Sequence, residues 1–180
     1  MLNDLIVLDE SIFGARGTLK MNVAANTSGQ GTGTSYVKAF RPGEIVGQAV
    51  SGVVAVPLYT TAESGNTKPV VGTDFIAGVA ASISTETASA AGTVEVIPVD
   101  SNVVWLIDPK VAATWDTQAE YDALVNKRVL IDLVSGYAAG KYSILASDSS
   151  TSGCSIAPLD VAKYPGKVAF RFRAALSIVA

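Results

Sequence analysis

The sequence predicts a mainly β protein, a single β-barrel or jelly-roll-like sandwich with one short helix and an extended N-terminal arm. Three observations carry that expectation. Short β-branched and aromatic runs recur at close spacing, Gly, Pro, Asn and Ser fill the intervals between them, and only one stretch shows a helical apolar period. A chain of 180 residues is long enough for one domain with a real core, since about 150 residues already bury roughly 68–70% of the unfolded surface.

Taken in order, residues 1–34 read as the arm and 35–180 as the β domain. The run Leu5, Ile6, Val7, Leu8 with Ile12 and Phe13 is apolar but is followed by Gly14 and Gly17, then by Asn26-Thr27-Ser28-Gly29-Gln30-Gly31-Thr32-Gly33-Thr34, which is linker composition. These six apolar residues cannot bury one another in an extended segment, so they are expected either to dock on another chain by strand addition or to fold back on their own domain. An extended arm of this length reaches on the order of 100 Å, at about 3.3 Å per residue.

In the β domain, strands are expected at 35–40, before the turn Arg41-Pro42-Gly43, and at 49–56, before Pro57. Further strands are expected at 75–83, 93–99 and 103–107, the last ending at Asp108-Pro109. Thr117-Gln118-Ala119-Glu120 is a capping-box pattern, and Tyr121, Leu124 and Val125 then repeat at i, i+3 and i+4, so a helix is expected over 117–126. Strands follow at 128–133, 141–146, 155–158 and 167–174. In the last of these Val168, Phe170 and Phe172 alternate with Ala169, Arg171 and Arg173, which sends the first set into the core and the second outward. Arg171 and Arg173 there form either a solvated face or a set of partners for acidic groups on a neighbour.

The chemistry available is narrow. The chain has no histidine and a single cysteine, so the usual general base, Ser-His and Cys-His pairs and common transition-metal sites all lack their main residue. Neither an enzyme, a metal site nor a cofactor is expected. Cys154, in Thr151-Ser152-Gly153-Cys154-Ser155, reads as an ordinary thiol. Gly136-Tyr137-Ala138-Ala139-Gly140-Lys141-Tyr142 is one residue short of a phosphate-binding loop and ends in Tyr where Ser or Thr must hold magnesium, so it reads as a hairpin turn. Asp100, Asp108, Asp116, Glu120, Asp122 and Asp132 read as caps and turns rather than a carboxylate pair for glycoside hydrolysis. Trp105 is expected in the core. A net charge of -3 without a block of Lys and Arg gives no footprint for nucleic acid, and no segment reads as a signal peptide or membrane span. Charged residues are only 16% of the chain, below the roughly 25% of an average soluble protein, which favours burial of surface against partners.

Val103-Val104-Trp105-Leu106-Ile107-Asp108 is followed by Trp115-Asp116-Thr117-Gln118-Ala119-Glu120-Tyr121-Asp122-Ala123-Leu124-Val125-Asn126-Lys127-Arg128-Val129. Next come Tyr142-Ser143-Ile144-Leu145-Ala146-Ser147-Asp148-Ser149-Ser150, Ile156-Ala157-Pro158-Leu159-Asp160 and Pro165-Gly166-Lys167-Val168-Ala169-Phe170-Arg171-Phe172-Arg173. Together these segments resemble the capsid cement or decoration proteins of tailed bacteriophages, over the β domain and not the arm. The resemblance implies a virion structural protein, made in the host cytoplasm, that binds the outer surface of the head as a homotrimer and clamps the major capsid protein. The alternative is a receptor- or glycan-binding fibre or spike domain, which would show an exposed aromatic cleft.

Overall fold

The computed structural model describes residues 6–7, 17–25, 39–48, 55–57, 76–100, 102–109, 115–133, 142–145 and 154–173. The chain is mainly β, in two antiparallel sheets. The five-stranded sheet is built from β2 (Leu19–Val23), β3 (Ile45–Gln48), β4 (Ala55–Pro57), β5 (Ile76–Ala80) and β6 (Gly92–Pro98), in the order β2-β6-β5-β3-β4. The six-stranded sheet takes β1 (Ile6–Val7) from the start of the chain and β7 (Trp105–Ile107), β8 (Arg128–Leu133), β9 (Tyr142–Leu145), β10 (Cys154–Ile156) and β11 (Val168–Phe172) from its end. Its order is β1-β7-β11-β10-β8-β9.

The five-stranded sheet curls until β4 comes back against β2, giving a half-barrel. Two local features favour that curvature. The register of β3 against β5 shifts between Val46 and Gly47, and a bulge there adds twist. Opposite it, Gly78 lets β6 approach so closely that a Cβ would fall onto the Ile97 carbonyl oxygen. Inside the curl, Met21, Val23, Phe40, Val46, Val94 and Val96 form one core. The other face presents Ile45, Ile76 and Val79 to the larger core, where they join Trp105, Phe170 and Phe172.

The hairpin that joins β5 to β6 is tied to the chain before β3 by side chains. Glu86 is fully buried, and its Oε1 accepts from the Ala39 N–H at 2.7 Å. Ser84 Oγ accepts from the Phe40 N–H at 3.0 Å, while the Ser84 N–H donates to the Phe40 carbonyl. These bonds satisfy buried backbone donors where the regular ladder has ended. The turn before β3 is the expected Arg41-Pro42-Gly43, with Gly43 at φ 87° and the Glu44 N–H donating to Arg41 O.

Several sequence expectations change. Leu19–Val23 falls within 1–34 yet is a strand of the half-barrel, with Met21 and Val23 buried. Of the strand expected at 35–40 only Ala39 and Phe40 are described, and they are not in a strand; a strand follows the turn, at Ile45–Gln48. The helix expected over 117–126 is regular only over α1 (Gln118–Asp122). It tightens into i→i+3 bonds from Leu124 to Tyr121 and from Lys127 to Leu124, then stops at Asn126, whose φ is 66°. The Asn126 N–H donates to Ile156 O and the Ile156 N–H donates to Lys127 O, so pairing with β10 ends the helix. The cap is as expected: Thr117 Oγ1 accepts from the Glu120 N–H and donates to the Glu120 carboxylate at 2.6 Å.

Candidate functional site

Alternation on β11 sorts its residues onto two faces. Val168, Phe170 and Phe172 enter the larger core, where Phe172 meets both Phe170 and Trp105 edge to face. Ala169, Arg171 and Arg173 share the other face, which is not uniformly solvated. Ala169 is fully buried beneath α1, while Arg171 and Arg173 are half-buried beyond it.

The covered end is organised by Tyr121. Its hydroxyl accepts from the Ala169 N–H at 2.8 Å and donates to the Ala157 carbonyl at 3.0 Å. The Ala157 N–H bonds directly to Ala169 O, so the phenol supplies the second rung where β10 and β11 diverge. Burial pushes this phenol up to about 12, against the lowering effect of its bond to Ala169. Gln118 holds the same end from the helix side: Nε2 donates to Leu159 O at 3.0 Å and Oε1 accepts from the Val161 N–H at 3.0 Å.

Away from α1, register brings two arginines into one cross-strand row. Ser155 on β10 pairs with Arg171 on one side and with Arg128 on the other, so Arg128, Ser155 and Arg171 share a face. With neighbouring strands about 4.8 Å apart, the two arginine Cα atoms stand roughly 10 Å from each other. Arg173 follows two residues later on the same side. Among the described residues neither Arg171 nor Arg173 has an ion-pair partner, and the buried Nε–H of Arg171 has no acceptor. Sequence reasoning found Arg171 and Arg173 by alternation but missed Arg128, because the row exists only through pairing of β8, β10 and β11.

Of the six apolar residues singled out near the N-terminus, Leu5, Leu8, Ile12 and Phe13 lie outside the described residues. Ile6 and Val7 form β1 at the edge of the six-stranded sheet, paired with Leu106 and Trp105. Those two residues pair on their other side with Ala169 and Phe170. The edge strand and the arginine-bearing strand therefore stand two strands apart, with β7 between them.

Other candidates offer less chemistry. Trp105 and Trp115 are each 1% exposed, so neither indole presents a face on which a sugar can stack. A hollow of about 420 Å³ is lined by Asp116, Gln118, Val161, Ala162, Pro165 and Gly166, but it holds one carboxylate, and the Gln118 amide is already bonded. Among the described residues no group of three or more Cys, Asp or Glu is placed to hold a metal ion, and no helix is long and apolar enough to cross a membrane.

Cys154 is buried in the larger core, and burial raises its thiol well above the ordinary value despite the nearby Arg173. A thiol reagent such as an aromatic disulfide is expected to leave Cys154 unmodified in the folded protein at pH 8 and to label it fully in denaturant. Rapid labelling without denaturant would contradict this buried placement.

No family model, curated protein or solved structure matches this chain.

Proposed function

We propose that this chain is a structural protein of a tailed-phage particle, binding the outer surface of the head and clamping neighbouring major capsid subunits, as a trimer. The observation that best supports this reading is the placement of Ile6 and Val7 at the edge of the sheet whose third strand carries Arg171. Ile6 and Val7, from the N-terminal group that the sequence offers for partner contact, share a sheet with Arg171, from the C-terminal pair. Lengthening an edge strand by contact with a neighbouring subunit adds main-chain bonds at little cost in structure. Repetition over the symmetric surface of a shell multiplies modest individual affinities. The resemblance of segments of the β domain to cement proteins is what suggests the particle; the absence of a clustered catalytic or metal-ligating group among the described residues is compatible with a protein that works by contact.

The test is co-sedimentation with undecorated heads, using the whole chain and a form lacking residues 1–12. This deletion removes β1 and spares β2, which a cut at residue 34 would destroy along with its buried Met21 and Val23. The whole chain is expected to pellet with heads. The shortened chain is expected to keep its β circular dichroism and to stay in the supernatant. Binding by the shortened chain would remove the role of the N-terminal segment, and no binding by either form would remove the proposed function.

A further inference from the structure

We draw no further inference here: the strongest candidate, the open hollow of about 420 Å³ between α1 and the loop joining β10 to β11, carries nothing, because its one carboxylate, Asp116, is exposed, the Gln118 amide in its wall is already bonded to Leu159 and Val161, and nothing in the structure shows what would occupy it.

Discussion

Gly78→Ala is expected to cost about 3 kcal/mol or more of folding stability. Gly78 lies in β5, in the middle of the five-stranded sheet, paired with Val46 on one side and Pro98 on the other. A Cβ there would meet the Ile97 carbonyl and the Val96 side chain. The obstacle is backbone of a central strand, which cannot rotate aside as a flexible side chain would. Relief requires β6 to move away from β5, and that uncurls the half-barrel around Phe40, Val94 and Val96. Urea unfolding followed by circular dichroism reads the effect as a lower midpoint, with exposed Ser89→Ala as the control expected to stay within about 0.5 kcal/mol of wild type. An unchanged midpoint for Gly78→Ala would mean that β5 and β6 do not approach as described.

Tyr121→Phe is expected to cost about 2–4 kcal/mol, because it leaves the Ala169 N–H and the Ala157 carbonyl buried without their shared partner. Shape and packing against Trp115, whose ring lies 5.7 Å away, are otherwise kept. The pH dependence gives a second reading. The folded phenol titrates near 12, above an unfolded value of about 10, so the folded state holds this proton more tightly than the unfolded state. Its contribution is therefore full below pH 10 and is lost as pH rises towards 12. Phenylalanine has no such proton. The stability difference between wild type and variant is expected to shrink across that alkaline window, and a difference independent of pH would argue against a buried, bonded phenol.

Much of the mainly β architecture was legible, and the reasons differ by element. The alternation of Val168, Phe170 and Phe172 with Arg171 needs only local pattern, and the strand forms as expected. The Thr117 cap is equally local. The end of α1 was not legible, because Asn126 is turned aside by β10, some thirty residues on. Leu19-Lys20-Met21-Asn22-Val23 carries a clean period-two pattern, but the glycine-rich stretch after it has linker composition, which masks β2 as part of the arm. Of the arginines on this face, Arg171 and Arg173 were visible and Arg128 was not. A cross-strand row depends on register, and register here is set by pairings between segments that no local pattern connects.

The sharing of one sheet by the two ends of the chain has a consequence for how the protein acquires its structure. The half-barrel needs only residues up to Pro98, so a chain growing from the ribosome can complete it early. The other sheet must wait until β11 emerges and β1, made first, finds β7. Until then Ile45, Ile76 and Val79 have no larger core to enter, and Trp105, Leu106 and Ile107 form an apolar strand without neighbours. Contacts between distant segments slow folding towards the order of milliseconds to seconds, and such an unpaired strand is open to capture by another chain in the interval. Yield on expression should therefore fall more steeply with synthesis rate than the stability of the finished protein would suggest.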